Sequence, residues 1–318
     1  MKFLIKPVAA AFALGAMALA TIPTLAADIT IGVSIPSATH GWAGGMNWHA
    51  AEAKRRLEAA NPGLKIIISA SGSATEQANA LEDMVSVQNI DALVILPFES
   101  DPLTDPVRRV KESGAFITVV DRGLSDPTIR NIYVAGDNPG FGRSAGQYIA
   151  KTLSDGGKVV AMRGIPTVID DQRMDGFLAG IKGSKIELLD SKHANWNRDK
   201  AFEVMQDFLT RFPKIDAVWA ADDDMALGAL EAIREAGRET EMFLVGGGGA
   251  KDVVAGVRDG NSSIAVTVLY PPAMIATAID LTAARFISNG PVEGIFNLAS
   301  PLITKENAAA FYFAKSPY

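Results

Sequence analysis

From Asp28 onward the apolar and polar positions of the chain follow two alternating patterns. Short runs rich in Val and Ile fall at 29–33, 65–69, 92–96, 117–120, 158–163, 186–190, 217–220, 243–245 and 264–268. Their nearly unbroken hydrophobicity predicts strands covered on both faces. Between them lie stretches with a helical period. In 74–88 apolar residues recur at Ala78, Leu81, Met84 and Val85; in 225–236 they recur at Leu227, Leu230 and Ile233, with Glu231 and Glu235 on the wet side. Each carries one apolar stripe, as a helix packed on a sheet requires. This β–α–β–α order predicts an α/β fold with parallel sheets and right-handed crossovers.

The alternation is interrupted twice. Four strand–helix units precede "NIYVAGDNPGFG" (131–142) and about four follow it. With its Asn-Pro step and three Gly, this stretch reads as a loop and as the boundary between two lobes. Tyr270, Pro271 and Pro272 interrupt the last strand–helix pair and read as the chain crossing back.

Residues 1–27 obey neither pattern. Lys2 and Lys6 precede a 13-residue apolar run, 8–20, and "IPTLAA" (22–27) supplies small residues for cleavage after Ala26 or Ala27. That is the layout of a secretory signal peptide, too short in its apolar part to span a bilayer, so the mature chain is expected in the periplasm. Without Lys2 and Lys6 there are 28 basic against 36 acidic residues, a formal charge of −8. An acidic chain with no basic block argues against a nucleic acid or an anionic membrane as partner. The sequence holds no Cys, which removes disulfides, thiol catalysis and thiolate metal sites, and only three His, at 40, 49 and 193.

In doubly wound sheets ligands contact the loops beyond the carboxyl ends of the strands. Here those loops are 36–42, 71–77, 97–100 and 121–123 in the first lobe, and 164–173, 193–198, 221–224 and 246–252 in the second. Trp42 and Trp196 place one flat aromatic in each lobe, while Trp219 and Trp48 read as packing residues. Asp121, Arg122, Asp170, Asp171, Arg173, Asn195, Asn197, Arg198, Asp222 and Asp223 supply planar hydrogen-bonding groups. Indole faces suit the C–H faces of a sugar ring, and carboxylates, amides and guanidinium groups suit vicinal hydroxyls. The run Asp222-Asp223-Asp224 lacks a calcium-loop spacing; Asp223 or Asp224 is expected to cap a helix starting at Met225, leaving Asp222 toward the cleft. Gly246 to Gly249 lacks a phosphate-loop pattern and reads as a tight turn. No Gly-x-Ser-x-Gly elbow is present.

Six stretches carry a family likeness: "ITIGVSIPSATHGW", "ITVVDRG", "QRMDGF", "NWNRDKAFEVMQDFLT", "AVWAADDDMALGAL" and "FLVGGGG". In these the chain resembles the periplasmic sugar-binding proteins of the ribose-binding class, the solute receptors of ABC importers. The resemblance implies the type I periplasmic binding protein fold: two doubly wound parallel-sheet lobes joined by a hinge. The first lobe is expected to comprise 28–136 plus 270–298, and the second 137–269 plus 299–318. It further implies ligand contacts at Trp42, Asp121, Arg122, Asp171, Trp196, Asp222 and Tyr270. Asp171 would replace a cleft Arg, Asp222 a cleft Asn and Tyr270 a cleft Gln, and the family's Asp in its "VGFDG" loop is missing from Gly246 to Gly249. The fold and role transfer, but ribose as ligand does not. The added carboxylates bring amino sugars into consideration beside hexoses and polyols. The expected partners are a monosaccharide-like ligand and the membrane permease of an importer. No cofactor, metal, nucleic acid or membrane insertion is expected, and the chain is expected to act as a monomer and not as an enzyme. A ligand-sensing receptor subunit for chemotaxis or signalling is the alternative, a sugar-processing enzyme a weaker one. Sugar-responsive repressors share the two-lobed core, but they carry a helix-turn-helix where this chain has its leader.

Overall fold

A computed structural model describes residues 28–38, 41–312, 314 and 317–318; the expected signal peptide lies outside them. The first half of the chain forms β1 (Ile29–Pro36), α1 (Gly41–Ala60), β2 (Leu64–Ser71), α2 (Ala74–Ser86), β3 (Ala92–Ile95), α3 (Ser100–Glu112), β4 (Phe116–Val120) and β5 (Ile132–Gly136). There follow α4 (Asn138–Thr152), β6 (Gly157–Arg163), α5 (Val168–Ile181), β7 (Ile186–His193), α6 (Arg198–Arg211), β8 (Ala217–Ala220), α7 (Asp223–Glu235), β9 (Phe243–Gly248), α8 (Lys251–Asp259) and β10 (Ile264–Leu269). The last elements are α9 (Met274–Ile287), β11 (Gly294–Leu298) and β12 (Leu302–Ile303).

These strands make two six-stranded sheets, ordered β11-β5-β4-β3-β1-β2 and β12-β10-β9-β8-β6-β7. Every pairing is parallel except the edge pair β10–β12. The strand order reverses between β1 and β3 in the first sheet and between β6 and β8 in the second. At such a switch point neighbouring connections leave in opposite directions and open a crevice at the carboxyl ends of the strands. The crevice of each sheet is therefore where the sequence's strand-end loops gather.

Burial follows the sheet faces. Ile31, Val33 and Ile35 of β1 are fully buried. One core, with Leu93, Ile95, Ile117 and Val119, lies between the first sheet and α2 and α3; α1 and α9 cover its other face. In the second sheet α4 and α5 share a face, where Trp219 of β8 stacks on Phe177 with ring centroids 4.3 Å apart. Trp219 is thus the packing residue expected of it, fully buried. Trp48 is not: it is 40% exposed on α1, edge-on to His49.

The stretch 131–142 is not a loop. It contains β5, with Ile132 and Val134 fully buried, and the start of α4. The passage from one sheet to the helices of the other needs only Asp137, whose carboxylate accepts from the Gly140 N–H at 2.9 Å and caps α4. The Gly that suggested flexibility serves close packing. A Cβ at Gly142 would stand 1.8 Å from the Arg173 carbonyl oxygen, so α4 and α5 pack backbone to backbone. β11 and β12, also unforeseen, are short edge strands in which only Ile303 is fully buried. Three connections run between the sheets: β5 to α4, β10 to α9, and β11 to β12.

Candidate functional site

Where the two sets of strand ends face each other they line a pocket of about 340 Å³, part of it open to solvent. The first sheet contributes Asp121 and Arg122, directly after β4. Asp121 has φ 57°, a left-handed conformation that Asp tolerates better than most residues, and it turns the carboxylate inward. That carboxylate accepts from the Tyr270 hydroxyl at 2.5 Å. The Asp121 carbonyl accepts from the Tyr133 hydroxyl at 2.6 Å, which holds the turn in place. Arg122 donates through Nη1 to the Phe98 carbonyl at 2.6 Å, while its buried Nε has no acceptor among the described residues. Burial raises the Asp121 pKa against the pull of Arg122, and lowers that of Arg122 itself.

Two indoles line the space. Trp42, at the start of α1, is anchored by its Nε1–H on the Tyr270 carbonyl at 2.8 Å. Its ring centroid is 5.9 Å from that of Tyr270. Trp196 is aimed by two successive left-handed residues, Asn195 and Trp196 itself, both at φ 57°. Its ring lies directly on Gly164, where a Cβ would meet ring carbon at 1.8 Å. Both rings are buried.

Six of the seven residues expected to contact ligand come together around this cavity: Trp42, Asp121, Arg122, Trp196, Asp222 and Tyr270. Asp171 does not. Its side chain is 72% exposed and pairs with Arg163 at 2.6 Å on the outside of α5. The helix explains this. Ile169, Arg173 and Phe177 are one turn apart and buried on one face, and Asp171 lies midway round from Ile169 to Arg173. Arg173 lines the cavity with Arg122, so Asp171 does not stand in place of a cleft Arg. The apolar positions at 169 and 177 bracket Arg173 at i−4 and i+4, a signal already present in the sequence.

Arg173 is 5% exposed, with its guanidinium carbon 4.2 Å from the centroids of Phe141 and Tyr270 and 5.2 Å from that of Trp196. Its Nε donates to Asn138 Oδ1 at 2.9 Å, and Nη1 to the Ala221 carbonyl at 2.8 Å. Asn138 Nδ2 donates to the Tyr270 oxygen at 3.1 Å. A continuous polar relay therefore runs from the end of β8 through Arg173, Asn138 and Tyr270 to Asp121 at the end of β4. Asn138 and Tyr270 each stand at a connection between the sheets.

The three consecutive Asp residues divide their work differently from the expectation. α7 begins at Asp223, not Met225, and Asp222 is its cap, accepting from the Met225 N–H at 3.1 Å. Burial, with Asp224 and Asp223 close by, raises the Asp222 pKa well above the carboxylate range. Asp223 is fully buried and accepts from Gly249 N, Ala250 N and Thr267 Oγ1 at 2.7–2.9 Å; burial nonetheless pushes its pKa up to about 6. Asp224 accepts from the Gly41 N–H at 2.8 Å and from Arg198 at 2.7 Å, and so joins α7 to the first turn of α1. Among the described residues no cluster of three or more His, Asp or Glu side chains is arranged to hold a metal ion, and no described helix is long and apolar enough to cross a membrane.

Residues 31–289 match the model of the periplasmic binding protein domain. The ribose import binding protein of Bacillus subtilis is 32% identical over 219 residues, 69% of this chain and 70% of that protein. The ribose import binding protein of Escherichia coli is 31% identical over 244 residues, 76% of this chain and 80% of that protein. Among solved structures, the fructose-binding periplasmic domain of a hybrid two-component system is 29% identical, with a TM-score of 0.81 over 89% of this chain and 93% of that one.

Proposed function

The chain belongs to the periplasmic binding protein domain family, and from that premise we propose that it captures a neutral, polyhydroxylated ring such as a hexose or a cyclic polyol. It is a solute-binding protein, not an enzyme. The observation that carries the ligand class is the cavity itself. Two indoles offer faces, and Arg122 and Arg173 are buried beside Asp121 and Asp222. Two buried guanidinium groups thus stand beside two buried carboxylates, so the cavity lining carries no excess of negative charge. A ligand bringing its own ammonium group would meet two desolvated guanidinium groups, which disfavours an amino sugar. Similarity to proteins named for ribose import and to a fructose-binding domain supports the same class.

In this reading the two sheets with their helices are the moving lobes, 28–136 plus 270–298 and 137–269 plus 299–318. Trp42, Asp121, Arg122, Arg173, Trp196, Asp222 and Tyr270 contact the ligand, which docks on one lobe. Contacts from the other are made on closure, so preferential affinity for the closed form drives the motion. The closed monomer, exported to the periplasm, then delivers its ligand to the permease of an ABC importer. The test is a thermal-shift screen of the mature protein against pentoses, hexoses, cyclic polyols and hexosamines, followed by calorimetry on matched pairs. A neutral hexose is expected to bind better than its hexosamine by about tenfold or more, roughly 1.4 kcal/mol. Tighter binding of the hexosamine at neutral pH refutes the neutral-ligand reading.

A further inference from the structure

Tyr318 lies beyond the last strand, yet it is only 8% exposed. It occupies a slot walled by glycines from both lobes. A Cβ at Gly41 would stand 3.0 Å from Cδ2 of its ring and 3.2 Å from Cε2, and one at Gly45 would stand 3.1 Å from its Cβ. Gly41 and Gly45 are one turn apart on α1, which packs on the first sheet. On the far side, a Cβ at Gly248 would stand 2.1 Å from the Tyr318 hydroxyl oxygen. Gly248 ends β9 of the second sheet, lines the cavity, and has φ 124°, a conformation open to glycine and strained for other residues.

This slot accounts for glycines that a turn does not. Gly246 to Gly248 are strand residues, and each makes room for an incoming side chain. Asp223 approaches Gly246, Phe141 approaches Gly247 and Tyr318 approaches Gly248. The hydroxyl of Tyr318 lies in the field of Asp222, Asp223, Asp224 and Arg173, two of which line the cavity. The Gly41–Asp224–Arg198 contact closes the same seam. An aromatic ring touching α1 on one side and β9 on the other makes both sets of contacts only while the lobes are together.

We propose that Tyr318 is a positioning residue for ligand capture: a latch whose ring, seated between Gly41 and Gly45 of one lobe and Gly248 of the other, holds the cleft shut and slows ligand escape. The inference rests on the sugar-binding reading for its second arm alone. Its first arm needs no ligand. Because the chain has no Cys, Thr75→Cys and Gln172→Cys place two dyes uniquely, at exposed sites near the first turns of α2 and α5. Single-molecule energy transfer on the ligand-free protein should show a closed population whose ratio to the open one falls roughly tenfold in Tyr318→Ala. Tyr318→Phe, which keeps the ring, should stay within about threefold of wild type. In the second arm, stopped-flow tryptophan fluorescence follows D-ribose and D-fructose. Tyr318→Ala should raise the dissociation rate roughly tenfold and change the association rate far less. Equal closed populations in wild type and Tyr318→Ala overturn the latch, as does an unchanged dissociation rate. If neither sugar binds the wild type, that result counts against the sugar reading, and the ligand-free arm decides the latch alone. A fall in melting temperature with an unchanged closed population assigns Tyr318 to packing and overturns the proposal.

Discussion

Replacing Arg173 by Lys keeps the charge and removes the planar fork, so it isolates what the guanidinium does. Nε and Nη1 donate to Asn138 Oδ1 at 2.9 Å and to the Ala221 carbonyl at 2.8 Å, acceptors on separate segments. An ammonium at the end of a flexible stem satisfies one of them at a time. The loss is one charge-assisted hydrogen bond, about 1.5–3 kcal/mol. The flat contacts with Phe141 and Tyr270, both at 4.2 Å, weaken as well and add about 0.5–1 kcal/mol. Together these cost about 2–4 kcal/mol of stability, or a melting temperature about 3–7 °C lower for a chain of this size. Ligand binding should suffer separately, because Arg173 lines the cavity. Losing one such bond to a hydroxyl weakens the dissociation constant about tenfold to a hundredfold. Asp171→Asn is the control. Its pair with Arg163 is exposed, is worth about 1 kcal/mol at most, and lies away from the cavity. Calorimetric titration of both variants with the sugar bound by wild type, alongside scanning calorimetry, measures all four quantities. Binding by Arg173→Lys within twofold of wild type, or a tenfold loss in Asp171→Asn, contradicts a cleft role for the Arg173 guanidinium.

Trp196→Ala, which strips a buried ring from above Gly164, should cost about 1–3 kcal/mol of ligand affinity and most of the ligand-induced fluorescence change; an unaltered titration removes Trp196 from the site. Trp219→Ala empties the stack on Phe177 and should cost about 3–5 kcal/mol in urea unfolding, so a loss below 1 kcal/mol contradicts its core role. Asp223 has a folded pKa of about 6, above its ordinary value of 3.8, so its contribution is fully present below pH 3.8 and is lost as pH rises to about 6. Relative to the non-titrating Asp223→Asn, wild type should lose about 3 kcal/mol of unfolding free energy across that window, whereas parallel profiles show that Asp223 keeps its ordinary pKa. Small-angle scattering should give a smaller radius of gyration with ligand than without it, and identical curves mean a rigid pocket.

The parallel strands were legible because burial on both faces leaves no polar alternate, a pattern that survives in short runs such as 92–96 and 217–220. Edge strands lack that constraint, and so "GIFNL" of β11, largely open to solvent, carried no comparable signal. Glycine misled in one consistent way. At 142 and at 246–248 it reports what approaches the backbone from elsewhere in the chain, and local turn rules assign it to loops instead. Of the residues around the cavity, Trp42, Asp121, Arg122, Trp196 and Asp222 were legible from strand-end position and residue type, whereas Tyr270 followed from the family resemblance. The choice between Asp171 and Arg173 depended on the phase of α5, which Ile169 and Phe177 set, because a helical side chain rotates by about 100° with each residue. Asp222 was placed toward the cleft, but its capping role followed the helix start, one residue further on at Asp223. Trp48 shows the converse limit: an aromatic on an amphipathic helix can sit at the rim of its apolar stripe.

The first sheet is completed late in synthesis. β11 pairs with β5, Gly294 opposite Ile132, and α9 covers β4 and β5 from the same late stretch of chain. Until those residues emerge, β5 has an open edge and an apolar face with nothing over it. That is the kind of surface on which chains pair with one another. Neither lobe is therefore an independent cotranslational unit: the first waits for residues near 298, and the second cannot dock before then. Contacts so distant in sequence close slowly. The topology that joins the two sheets through three connections thus also lengthens the time the chain spends unfolded.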